Sequence, residues 1–77
     1  MRKKLKMFRL ERDLTQAQMA DLIGCSLSCY HYIEQGKRSP SLSFVKKMHK
    51  AFGMTIDEVL ELMESEEIRE KNHSTTD

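Results

Sequence analysis

Ser26-Leu27-Ser28-Cys29-Tyr30-His31-Tyr32-Ile33-Glu34-Gln35-Gly36 is the stretch around which the chain is organised. A serine able to cap a helix opens it, and a glycine able to end one closes it. A helix turns about 100° per residue. With Leu27 at zero, Ser28, His31, Tyr32 and Gln35 fall within roughly 140° of it, and Cys29, Tyr30 and Ile33 between roughly 200° and 300°. The stretch predicts a short helix with two unlike sides. One side is apolar and can pack. The other carries hydroxyls, an imidazole, a phenol and an amide but no acid, which suits hydrogen bonding to polar edges in a groove. Glu34 falls on the boundary, which predicts a partner elsewhere in the chain.

The segment before it, Thr15 to Gly24, reads as a second short helix. Thr15 and Gln18 have the spacing of a capping box, in which two exposed backbone donors are satisfied reciprocally. Met19, Ala20 and Ile23 make an inward stripe, and Gly24 ends the helix. Two short helices about a turn apart, with small residues at the junction, form a helix-turn-helix arrangement.

Working outward, residues 3–12 predict a first helix, with Leu5 and Phe8 inward and Arg9 beside them. Arg2, Lys3, Lys4, Lys6 and Arg12 coat its outside, and Leu14 turns inward after it. Gly36 to Pro40 is a loop, because Pro40 holds Ser39 extended. Ser41 then caps a fourth helix over 42–52, with Leu42, Val45, Met48 and Phe52 inward and Lys46, Lys47 and Lys50 outward. His49 reads as a half-buried structural histidine. Thr55 and Glu58 form another capping box and open a fifth helix. Ile56, Val59, Leu60 and Met63 lie on its stripe; Leu62 and Ile68 fall off it. The fold class is all-α, a compact five-helix domain over residues 1–63. An acidic helical extension and a polar, frayed tail follow over 64–77.

Seventy-seven residues, 39% of them hydrophobic, hold one domain with a small core. No apolar run is long enough to span a membrane. The basic start, Met1 to Lys6, has no apolar stretch behind it, so no secretory signal is expected and the cytoplasm is. Residues 1–50 hold 11 Lys or Arg against 4 Asp or Glu, whereas residues 51–77 hold 2 against 8. A basic body beside an acidic end fits a polyanion-binding domain with a separate tail. Catalysis finds no support: there is no Gly-rich phosphate loop, no Cys-His arrangement and little room for a pocket. Cys25 and Cys29 do not make a metal site with His31, which points to the opposite side of the wheel, and no second ligand pair completes four. They read as small apolar fillers, and no metal or cofactor is expected.

The residues Thr15-Gln16, Met19-Ala20, Gly24-Cys25-Ser26, Ile33-Glu34, Gly36-Lys37-Arg38 and Pro40-Ser41-Leu42 stand in an order that resembles the Xre/Cro/phage-repressor helix-turn-helix family. The resemblance runs from about Leu5 to Leu60 and implies a lambda-repressor-like fold. It implies an ion pair between Arg9 and Glu34 that ties the first helix to the third. It further implies that Gln16 touches a phosphate or flanks a base, and that Leu27, Ser28, His31 and Tyr32, with Ser26 at their head, face the major groove. Lys37 and Arg38, with the backbone amides near them, would clamp the phosphate backbone. His49 departs from the small alanine usual in the family at that place.

The function implied is that of a sequence-specific regulator of transcription, a repressor, bound to double-stranded operator DNA as a homodimer on an inverted repeat. Its location would be cytoplasmic, at the nucleoid. The dimer surface would combine the loop before Pro40 with the fifth helix, including Leu62 and Ile68. The competing expectation is an antitoxin-like module whose acidic C-terminal segment binds a protein partner.

Overall fold

Among the described residues, four of the five helices begin at a hydroxyl cap. In the computed structural model, which describes residues 1–64, Thr15, Ser26, Ser41 and Thr55 each accept a hydrogen bond from the backbone N–H three residues on. Each cap satisfies one of the donors that a helix start leaves open. Gln18 and Glu58 return the bond to the cap's own N–H, which completes two capping boxes. The helices are α1 (Lys3–Leu10), α2 (Gln16–Ile23), α3 (Leu27–Gln35), α4 (Leu42–Phe52) and α5 (Ile56–Leu62). Gly24, Gly36 and Gly53 end α2, α3 and α4 in the left-handed conformation, where a side chain would be strained.

The core gathers Leu5 and Phe8 of α1, Met19, Ala20 and Ile23 of α2, and Tyr30 and Ile33 of α3. Phe44, Val45 and Met48 of α4 close it with Val59 of α5 and Met63 just after it. Leu14, Cys25, Cys29, Phe52, Met54 and Leu62 pack around its margin. Phe8 and Phe52 meet edge to face, with ring centroids 5.1 Å apart. The Arg12 guanidinium lies 3.6 Å over the Phe8 ring, a cation–π contact that shields the seam from outside.

Several expectations are corrected. α1 stops at Leu10, not residue 12, because the chain turns through Glu11–Asp13 and Asp13 takes a positive φ of 54°. Leu42 is 69% exposed, and Phe44 takes the buried place instead. Steps of three residues fall about 60° short of a turn, so Leu42 has drifted about 120° from Met48. His49 lies on the same outer side as Leu42 and is exposed; its Nδ1 reaches past Gly53 to the carbonyl of Met54. On α5, Ile56 and Leu60 are exposed, whereas Leu62 packs against the core beside Val59. α5 docks along the line of Val59 and Leu62, which rotates Ile56 and Leu60 outward.

Arg2 is not part of the outer coat; it is buried. Its guanidinium donates to the carbonyls of Met63 at 2.8 Å, Ile33 at 2.6 Å and Arg38 at 3.1 Å, and its N–H donates to Glu34 O at 2.9 Å. The expectations placed on residues 65–77, the acidic extension with Ile68 and the polar tail, lie outside the described residues.

Candidate nucleic-acid interface

α3 presents two sides, as its wheel requires. Tyr30, Ile33 and Glu34 are buried beneath it, and Leu27, Ser28 and Tyr32 are exposed above. His31 is half-buried between them. With Gln16, the first residue of α2, these outer side chains line one shallow concavity. Ser26 caps α3 just before Leu27, its hydroxyl oxygen occupied as the acceptor of the Cys29 N–H. Lys37 and Arg38 follow the end of α3 with their side chains exposed.

What fixes the tilt of this face is a carboxylate beneath it. Glu34 is 1% exposed. One oxygen, Oε2, accepts from Arg9 Nε at 2.9 Å and from the Tyr30 hydroxyl at 2.7 Å. The other, Oε1, accepts from Gln16 Nε2 at 2.8 Å and from Arg9 Nη2 at 3.3 Å. Arg9 also donates to the Leu14 carbonyl at 2.8 Å. A single carboxylate therefore ties α1, α2 and α3 together. Burial alone would raise its pKa, but the hydrogen bonds from Arg9, Tyr30 and Gln16 outweigh burial and hold it below the usual carboxylate value. Burial and the bond to Glu34 push the Tyr30 phenol upward, so it stays a donor. The bond to Glu34 raises the Arg9 guanidinium further still.

The geometry brings Gln16, Leu27, Ser28, His31 and Tyr32 into one place and leaves Lys37 and Arg38 at its end. It alters two expected roles. The amide of Gln16 is engaged at both ends within the protein, with Glu34 through Nε2 and with His31 Nδ1, 3.1 Å from Oε1. The N–H groups of Lys37 and Arg38 both donate to the Tyr32 carbonyl, at 2.9 and 3.2 Å. Those two amides are thus engaged within the protein. The relay through Gln16 and the Tyr30 hydroxyl were not read from the sequence. The only hint was the i, i+4 spacing of Tyr30 and Glu34, which places them on one helix side.

Among the described residues no group of His, Cys, Asp and Glu is arranged to hold a metal ion. Cys25 and Cys29 are both free thiols, half-buried. Burial, chiefly, pushes the Cys25 thiol up, away from the reactive thiolate. Among the described residues no helix is long and apolar enough to cross a membrane.

An α2–turn–α3 pair with its second helix locked from beneath and bare above defines a helix-turn-helix domain. The chain belongs to the helix-turn-helix family, of the Cro/C1 type, whose family model matches residues 5–59. It is 39% identical over 57 residues to the cryptic phage CTXphi transcriptional repressor RstR of Vibrio cholerae; the match covers 74% of this chain and 51% of that protein. A helix-turn-helix-type transcriptional regulator of Methanocaldococcus jannaschii is 39% identical over 59 residues, 77% of this chain and 89% of its own. A further such regulator, from Archaeoglobus fulgidus, is 31% identical over 71 residues, 92% and 99% of the two chains. The chain thus spans about half the length of RstR and nearly all of the archaeal proteins. No solved structure matches it. The family is one of DNA-binding transcription regulators, not of enzymes.

Proposed function

We propose that the chain is a sequence-specific transcriptional repressor that lays α3 in the major groove of double-stranded operator DNA. The observation that carries this reading is the acid-free outer face of α3, held at a fixed tilt by the buried Glu34 beneath it. A reading surface has to be rigid, because each hydrogen bond to a base edge depends on sub-ångström placement. Leu27 offers an apolar body to a thymine methyl, and Ser28, His31 and Tyr32 offer hydrogen bonds. Ser26 sits where the helix start nears the backbone, and Lys37 and Arg38 meet phosphates through their side chains. The sign of regulation follows that of RstR, a repressor. Such a protein works as a homodimer on an inverted repeat at the nucleoid, with half-sites about 34 Å apart.

Selection of bound sequences from a random DNA pool tests the reading. An inverted repeat is the expected product. On that site Ser28→Ala should lose about 1–3 kcal/mol and on random DNA almost nothing. A pool that yields no enriched sequence, or equal losses on both DNAs, would remove the assignment.

A further inference from the structure

We infer that His31 accepts a hydrogen bond from an exocyclic amino group of a base, cytosine N4 or adenine N6, because a relay from Glu34 through Gln16 fixes which ring nitrogen carries the proton. This deepens the operator-binding reading above and rests on it.

The relay follows from counting donors. The Glu34 carboxylate takes bonds from Arg9 Nε and Nη2, the Tyr30 hydroxyl and Gln16 Nε2. An ionised carboxylate only accepts, so Gln16 has to present its NH2 group to it. That choice turns the Gln16 carbonyl the other way, to His31 Nδ1 at 3.1 Å. A carbonyl oxygen also only accepts, so Nδ1 must bear a hydrogen. A neutral imidazole has one such hydrogen. Its Nε2 is therefore a bare lone pair, and it is the ring atom left for a ligand in the concavity of Gln16, Leu27, Ser28 and Tyr32.

In the major groove a bare nitrogen is complementary to the amino groups of cytosine and adenine. It opposes the lone pairs of guanine O6 and N7 and of thymine O4. The other tautomer, with hydrogen on Nε2, would make the reverse choice. The base preference at one operator position is thus set through residues other than the one that meets the base. Gln16 is a positioning residue in this sense, and Glu34 positions Gln16.

The test uses two measurements at about pH 8. Nitrogen-15 spectra of the unbound protein distinguish the tautomers. The expected result is Nδ1–H at His31, relaxing to a mixture of both forms in Gln16→Ala and Gln16→Met. A wild-type ring with hydrogen on Nε2, or a tautomer unmoved by both variants, overturns the inference without touching the DNA reading. In the second measurement, sequence selection repeated with His31→Ala finds the base pair whose preference disappears, and replacing the amino-bearing base of that pair by an analogue without the exocyclic amino group should weaken wild-type binding about tenfold and leave His31→Ala unaffected. Gln16→Met should flatten preference there by roughly tenfold. An analogue that weakens wild type and His31→Ala alike, or neither, overturns the inference while the operator stands. A pool with no enrichment at all, despite Nδ1–H in the spectra, removes the DNA reading and this one with it.

Discussion

Arg2 Nε donates to the carbonyl of Met63 at 2.8 Å, joining the second residue of the chain to the residue that closes α5. The same guanidinium reaches the carbonyl of Ile33, in the last turn of α3, and that of Arg38 in the loop beyond it. It brings donors to three carbonyls at one corner of the fold, of which that of Ile33 also accepts from the Gly36 N–H at 3.1 Å. Its planar fork suits this, because several donors point outward from one rigid group.

Arg2→Ala is therefore expected to destabilise the domain by about 2–4 kcal/mol, since the carbonyls of Met63 and Arg38 lose this donor while that of Ile33 keeps the Gly36 N–H, a buried acceptor without a partner costs about 1–3 kcal/mol, and water recovers part of it. Arg2→Lys should recover only a fraction, because an ammonium cannot serve three carbonyls in the same plane. Urea unfolding measures both. A loss under about 0.5 kcal/mol for Arg2→Ala would show that water replaces the guanidinium at little cost.

The second prediction concerns acid. Glu34 has a folded pKa below the ordinary carboxyl value of 4.5. The unfolded chain then binds a proton here before the folded one does as pH falls. The stabilisation is fully present above the unfolded value and is lost as pH drops from there through the folded value. Glu34→Gln removes this dependence, so its stability should fall less steeply than that of the wild type below about pH 4.5. At neutral pH the order of the two reverses in size: the variant is weaker by about 3–5 kcal/mol, because Arg9 is left buried without its counter-charge. Unfolding curves across that pH range decide the matter; parallel slopes would mean Glu34 titrates alike in both states.

A third prediction separates two glycines with the same backbone. Gly24 has φ +91° with nothing within 4 Å of the site of a Cβ. Gly36 has φ +83°, and a Cβ there would stand 3.1 Å from the Met1 nitrogen. Alanine at either position should cost about 1–2 kcal/mol for the left-handed backbone. Gly36→Ala should cost more, because the N-terminal segment above it is held by Arg2 and cannot yield freely. Equal losses at the two positions would mean that Met1 moves aside at no cost.

The elements readable from the sequence are those written in local chemistry. Thr15, Ser26, Ser41 and Thr55 marked helix starts because a side-chain oxygen two or three residues from an open N–H has one obvious use. The two sides of α3 were legible because its apolar and polar residues separate cleanly around the wheel. What escaped depends on distance along the chain. Arg2 looks like a surface cation, and nothing near it signals carbonyls 31, 36 and 61 positions away. Leu42 and Leu60 were assigned inward by spacing alone, but spacing gives a stripe and only docking gives its centre. Glu34 was legible as a residue needing a partner, whereas its four donors from three helices were not.

The last prediction turns on Tyr32 O. Its carbonyl accepts the N–H groups of both Lys37 and Arg38, so the backbone at the end of α3 offers no spare donors at those two positions. Whatever anion binding occurs there has to come from the two side chains. Arg38→Ala should consequently weaken specific and random DNA alike, and the slope of log affinity against log salt should fall by about 1. Lys37→Ala should do the same if its ammonium reaches a phosphate, and the double variant should lower the slope by about 2. Had the amides been available, they would keep part of the contact after truncation, and the slope, which counts released counterions, would still fall while affinity changed little. A large loss of affinity on the specific site alone, with an unchanged slope, would place Arg38 on a base edge instead of the backbone.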